Sequence, residues 1–128
     1  MVTDANRRLR DWRQAVTFAL QAWQGGVLEG PLELRLSFVL TRPKSAPKSA
    51  YWVAKRPDLV KLARAVEDAC RGVVMRDDAQ VASLRAEKRY ALPGEPTGVV
   101  IEAVPLQSPA RASHSRSRVR SSRQRRQP

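Results

Sequence analysis

One cysteine and one histidine are all that the 128 residues hold of the side chains behind most transition-metal and thiol chemistry. Cys70 has no second cysteine to pair with, so an intramolecular disulfide is excluded, which fits a reducing cytoplasm. Cys70 and the distant His114 make neither a zinc site nor a cysteine–histidine nucleophile pair. No apolar run approaches the roughly 20 residues of a membrane span. A secretory signal is not expected either, because arginines stand where its apolar centre would be. Acids are scarce: 12 Asp and Glu face 24 Lys and Arg, for a net charge of +12. From Arg111 onward there are seven arginines and no acid, which leaves +5 on the rest of the chain. A basic body with a strongly basic end favours a polyanionic partner, nucleic acid first, over a small-molecule substrate.

At this length one compact domain is expected, and 42% hydrophobic residues suffice for its core. Leu9, Trp12, Val16, Leu20 and Trp23 recur at spacings of three and four, which predicts a helix from about Asp4 to Gln24, closed by Gly25-Gly26. Trp12 and Trp23 could stack on bases, but at helical spacing they read better as core. Leu32 to Phe38 alternates strictly and predicts a strand continuing through Val39-Leu40. Residues 41–57 contain three prolines and the cations Arg42, Lys44, Lys48, Lys55 and Arg56, a basic loop. Tyr51 and Trp52 lie within it; they suit stacking on single-stranded or distorted DNA and, equally, closure over the edge of the core.

Pro57-Asp58 is a helix start, with Asp58 able to accept first-turn amide hydrogens. Leu59, Leu62, Val66, Ala69 and Val73 stripe a second helix up to Gly72. A strand follows from about Val81 to Ala91, with Ala82, Leu84, Ala86 and Tyr90 on one face and Arg85, Glu87 and Arg89 on the other. After the turn residues 92–98, Val99 to Val104 is a last strand, expected to form a hairpin with the one before. From about residue 107 nothing can bury apolar area, so 107–128 is expected to be a disordered tail behind a domain of residues 1–106. The order implies an α+β domain, a mixed sheet packed with two helices.

Three acids could carry chemistry: Asp58 at a helix start, and the pair Asp77-Asp78 before a strand. If these converge, their mutual repulsion calls for a cation between them, and hard oxygen ligands select Mg²⁺ or Mn²⁺. Lys55, Arg56, Lys61 and Arg64 would set cations beside them, as a phosphodiester-cutting site needs. The plainer reading is that Asp58 is only a cap and Asp77-Asp78 only a turn.

Arg56-Pro57-Asp58-Leu59-Val60-Lys61-Leu62, followed by Arg76-Asp77-Asp78-Ala79-Gln80-Val81, resembles the RusA family of Holliday-junction resolvases, over roughly residues 5 to 105. That family pairs a Pro-Asp-Leu-Asp segment opening a helix with a later Asp-Asp-(Ala or Ser)-Gln-Val segment. The resemblance implies a homodimeric α/β endodeoxyribonuclease of DNA recombination and repair, cutting four-way junctions symmetrically with Mg²⁺ or Mn²⁺. It implies Asp58, Asp77 and Asp78 as metal ligands, Asp58, Asp78 and Arg64 as catalytic residues, and Lys44, Lys55, Arg56 and Lys61 as contacts to DNA. Arg64 stands where many members have a lysine. Two departures are visible. Val60 replaces the family's second helix acid, and Glu67, nine residues beyond Asp58 and so about 900° further round the helix, falls on the opposite face. The family's first strand is also missing ahead of the first helix, which would expose a sheet edge. Two rivals remain: a catalytically inactive, structure-selective DNA-binding protein, and a general nucleic-acid binder driven by the tail.

Overall fold

The computed structural model describes residues 4–108, with side chains from Trp12 onward. The Leu9 side chain and residues 109–128, which hold all seven arginines of the tail, lie outside that description. The chain runs α1 (Asp4–Gln21), β1 (Leu32–Leu40), α2 (Leu59–Cys70), one 3₁₀ turn (Asp78–Gln80), β2 (Val81–Tyr90) and β3 (Gly98–Pro105). Two helices and an open three-stranded mixed sheet make a small α+β domain.

The core is built on β1. Leu32, Leu34, Leu36 and Phe38 point to one face and are buried against Val16 and Leu20 of α1 and Leu62, Ala63, Val66 and Cys70 of α2. Each such aliphatic side chain contributes about 1.5–3 kcal/mol of burial. Trp12 meets Phe38 edge-on with ring centroids 5.4 Å apart, and Trp23 packs partly buried on the same cluster. Both tryptophans are therefore core residues, as their spacing suggested. The opposite face of β1 is polar. There Glu33 accepts from Arg35 Nε at 2.6 Å and from Ser83 Oγ at 3.0 Å, and Ser37 donates to Glu87 at 3.2 Å.

α1 stops at Gln21, three residues before the expected Gln24. The amides of Ala22 and Trp23 turn to the carbonyls of Ala19 and Leu20, three residues back, which tightens the helix end. The Trp23 indole then donates to Gly26 O at 2.9 Å, and Gly26 adopts φ 68°. α2 ends at Cys70, so Val73 lies past the helix it was expected to stripe. Gly72, at φ 84°, makes the reversal that leads Val74 and Met75 into the core.

β1 is the central strand, with β2 parallel on one side and β3 antiparallel on the other. Parallel neighbours need a long crossover, and α2 provides it. The expected hairpin between the last two strands is not formed. Tight hairpins use about two linking residues. Here residues 91–97 intervene, enough to step over the end of β1 and cross two strand spacings of about 4.8 Å each. A register irregularity opposite Leu32-Glu33 leaves Ala82 unpaired, so β2 contributes Val81, Ala86 and Tyr90 to the core, while Leu84 stays largely exposed. The long loop is also more ordered than its prolines implied. Trp52 bridges Arg89 antiparallel, Val53 N donates to Lys88 O and Tyr90 N to Tyr51 O, so residues 51–53 extend the sheet at β2's outer edge.

The link between β2 and β3 is fixed by Arg89 and Glu95, joined by two hydrogen bonds of 2.7 Å. Glu95 also accepts from the Leu92 amide at 2.9 Å. These contacts, the guanidinium first, pull the Glu95 carboxyl from the ordinary 4.5 down to about 2. A depressed folded pKa means stability that is present above the ordinary carboxylate range and lost as pH falls toward 2. Glu95→Gln should therefore melt below the parent at neutral pH, and the gap should close on acidification through that window. Circular-dichroism melts across the pH range check this; a gap of constant size contradicts it.

Candidate functional site

Asp58 is the N-cap of α2 by backbone geometry, with φ −74° and ψ 127°, and its carbonyl accepts from Leu62 N at 3.1 Å. Its carboxylate, however, caps nothing: no side-chain hydrogen bond to the first turn is made. The capping role expected of that side chain is absent, and the exposed carboxylate is left available to other ligands.

Two hollows flank this helix start. One, of about 970 Å³, lies over the C-terminal end of β1 and is lined by Trp12, Tyr90, Pro43, Pro57, Lys55 and Arg56. The other, of about 590 Å³, runs between the helices, lined by Arg13, Thr17, Val60, Lys61, Arg64 and Asp68 among others. Asp58 stands between Pro57 of the first and Val60 of the second. Val60 is 73% exposed and faces solvent. Lys61 and Arg64 are exposed beside it, and Arg13 of α1 joins them as a third cation, one to which the sequence pattern assigns no role. Its signal was spacing: Arg13 stands three residues before the core residue Val16 and four before Thr17, which donates to its carbonyl at 3.0 Å. Lys44 is exposed on the turn closed by Ala46 N and Pro43 O.

Lys88 is a second residue that the sequence pattern does not single out. Its ammonium donates to Pro57 O at 2.7 Å and to Lys55 O, so β2 holds the backbone that leads into Asp58. In register it shares the face of Phe38, Ala86 and Tyr90. A lysine interrupting that apolar alternation was the available sign.

The acidic pair is organised by Gln80. Its Oε1 accepts from the amides of Arg76 at 2.8 Å and Asp77 at 3.0 Å, while Asp77 Oδ1 accepts from Ala79 N at 2.9 Å. This is a reciprocal capping box, foreshadowed by the Asp-x-x-Gln spacing. Gln80 Nε2 donates to Leu28 O and Gly30 O at 3.0 and 2.9 Å, tying the turn to the segment ahead of β1. The Ala79 amide chiefly, then Asp78 and more weakly Arg71, hold the Asp77 carboxyl below its ordinary value. One Asp77 oxygen is thus engaged in the turn.

The two acidic motifs do not meet within one chain. Asp77-Asp78 precede the first residue of β2, whereas Asp58 is attached through Pro57 to Lys88 near its last. Seven residues of strand separate Val81 from Lys88, about 23 Å at 3.3 Å per residue, and α2 spans a similar length, about 18 Å. Among the described residues no three His, Cys, Asp or Glu side chains are grouped to hold a metal ion. The expected convergence is not found, because a crossover helix runs opposite to the parallel strands it joins, starting near the C-terminal end of β1 and finishing near the N-terminal end of β2. The described residues of one chain do not by themselves supply a divalent-cation cage. Cys70 is no alternative: burial, reinforced by Glu67, pushes its thiol up to about 11.

The family model described as Endodeoxyribonuclease RusA matches residues 2–102. The chain belongs to the RusA family. That match covers both acidic motifs, both hollows and every strand of the sheet up to Glu102. Neither curated proteins nor solved structures return a match. In this RusA-family chain the helix start carries Asp58, Lys61 and Arg64 around an apolar Val60, and an Asp-Asp-Ala-Gln segment leads into β2.

Gln80 makes four hydrogen bonds, so Gln80→Leu should unpair two amides and two carbonyls and lower unfolding free energy by about 1–3 kcal/mol. Urea denaturation measures the loss. Hydrogen exchange should place it at the amides of Arg76 and Asp77; an unchanged midpoint would show that the turn stands without its clamp.

Proposed function

We propose that the protein is a Holliday-junction-resolving endodeoxyribonuclease that acts as a homodimer with Mg²⁺ or Mn²⁺, its turnover reduced by Val60. What carries the reading is the RusA match over residues 2–102, which includes both acidic motifs. The substrate class comes from the family: branched DNA. Lys44, Lys55, Arg56 and Lys61, with Arg13 and Arg64, are the cations that would hold the phosphates of the bound strand.

The homodimer is supported by the separation of the acids. In a two-fold dimer a contact of one end of a chain with the other end of its copy is repeated in reverse, so a single arrangement can bring both pairs of ends together. Asp58 of one copy and Asp77-Asp78 of the other then come together, giving two equivalent sites for two opposing strands. A divalent cation bound there supplies charge for a phosphoryl oxygen and acidifies water. The protein's own contribution is to hold the strand through its cations and to keep Asp78 on a turn fixed by Gln80.

Val60 favours a second reading. With an exposed apolar side chain in place of a ligand carboxylate, the fold can bind junctions without cutting them. The two readings separate on a synthetic four-way junction with Mg²⁺ or Mn²⁺. Measurable nicking by the protein, abolished by Asp58→Asn and by Asp78→Asn, supports the nuclease. Val60→Asp should raise the nicking rate roughly tenfold or more with little change in junction affinity, as expected when a metal site regains a ligand. Nicking that survives Asp78→Asn overturns the assignment. Mixing Asp58→Asn with Asp78→Asn protein tests the shared site. Each mixed dimer keeps one intact pair of acids, so nicking of one strand returns. Acids acting within one chain would leave the mixture dead.

A further inference from the structure

Trp52 is the most exposed aromatic ring whose backbone belongs to the sheet. It is 61% exposed and its neighbour Tyr51 39%, while Val53, the next residue, is buried. Closure of the core edge is thus accomplished by Val53, and neither aromatic belongs to the core cluster. That resolves one of the alternatives open in the sequence and leaves two large rings in water without a packing role.

The rings are nonetheless held. The Trp52 backbone bridges Arg89, and its flanking residues bond to Lys88 and Tyr90 of β2. Trp52 and Tyr51 meet edge-to-face, centroids 4.7 Å apart and planes at 89°, so they do not stack on each other. The Arg89 guanidinium lies over the Tyr51 ring at 5.7 Å, itself fixed by the two bonds to Glu95. A chain of contacts from Glu95 to Arg89 to Tyr51 to Trp52 keeps an indole in place before any ligand arrives. The loop that carries the rings is cationic: residues 42–56 hold Arg42, Lys44, Lys48, Lys55 and Arg56 and no acid, and the nearby acids Glu87 and Glu95 pair with Arg89. An apolar groove for a protein helix would have aliphatic neighbours; a rigid aromatic among cations has the composition of a surface that tracks a phosphate backbone and stacks its bases.

Building on the branched-DNA reading, we propose that Trp52 is a stacking platform for an unpaired nucleobase at the branch point of the bound DNA. Planar bases of any identity would be accepted, since every base offers a π face. The platform therefore confers selectivity for unstacked DNA without sequence preference.

A four-way junction carrying 2-aminopurine at the branch point tests this by fluorescence. Binding of the parent protein should quench the probe as the base stacks. Trp52→Ala and Trp52→Leu should abolish the quenching and weaken junction binding roughly tenfold, whereas Trp52→Phe should retain most of both. The dependence of affinity on salt should not change, because phosphate contacts remain. The leucine variant keeps apolar cover, so its loss of quenching isolates the π face even if alanine disturbs the loop. Full quenching by Trp52→Leu overturns the platform. So does a shift of Trp52→Leu from dimer to monomer in sedimentation with DNA affinity intact, which makes the ring a contact between copies. The same titration on a single-stranded oligonucleotide separates this proposal from the one beneath it. Trp52-dependent quenching there, without any junction preference, would sink the resolvase reading and leave the platform standing.

Discussion

Leu32, Leu34, Leu36 and Phe38 face both helices from the middle of the sheet, and β2 lies beside that strand pointing the same way. The direction of this one pairing governs most of the architecture. Parallel neighbours cannot be joined by a turn, so the chain must leave the sheet and return, and the return path is α2 with the basic loop ahead of it. α2 begins beyond the end where β1 finishes and ends before the start of β2, at the other end of the strands. The residues at its start and those beyond its end are held apart by its own length. An acid at each end serves two different places on the surface of a single chain.

Much of this was legible in the sequence because it rests on short-range periodicity. The alternation from Leu32 to Phe38 marked β1, the stripe of Leu62 and Val66 marked α2, and the Asp-Asp-Ala-Gln segment marked the turn before β2. Strand neighbours were harder. The last two strands follow one another in the chain as hairpin partners would, and nothing in their residues says that β1 lies between them; only the length of the link, with its two prolines, argued against a tight turn. The end of α1 differs from its periodicity because Trp23, in phase with the helical stripe, is held after the helix by an indole hydrogen bond to Gly26 O.

The candidate site was legible in part for a related reason. Asp58, Lys61 and Arg64 succeed one another along one stretch, so a motif exposes them. Arg13 and Lys88 come from elements far away in sequence and reach the same region only through packing. Lys88 did carry a local sign, a cation interrupting the apolar face of a strand, and its bonds to Pro57 O and Lys55 O explain why that interruption is tolerated. The convergence of Asp58 with Asp78 failed as an expectation because a motif pair states spacing along the chain and not the direction in which the intervening helix carries it.

Electrostatically the domain separates two uses of charge. On the sheet's polar face and at the link before β3, acids and arginines pair with each other: Glu33 with Arg35, Glu95 with Arg89. Among the described residues, the cations around the helix start form no ion pair with an acid, and they border the two hollows. Exposed ion pairs add little to stability, but the Arg89–Glu95 pair is part-buried and doubly bonded, and it also sets the geometry of the neighbouring loop.

The burial of Cys70 has a practical consequence. Its sulfur is enclosed beneath α2 and its proton is held to about pH 11, so maleimides and peroxide meet a closed thiol while the domain is folded. A cysteine introduced at any surface position would be the one reactive handle on the molecule, which makes the wild-type chain ready for single-site crosslinking or dye attachment without first removing its native sulfhydryl.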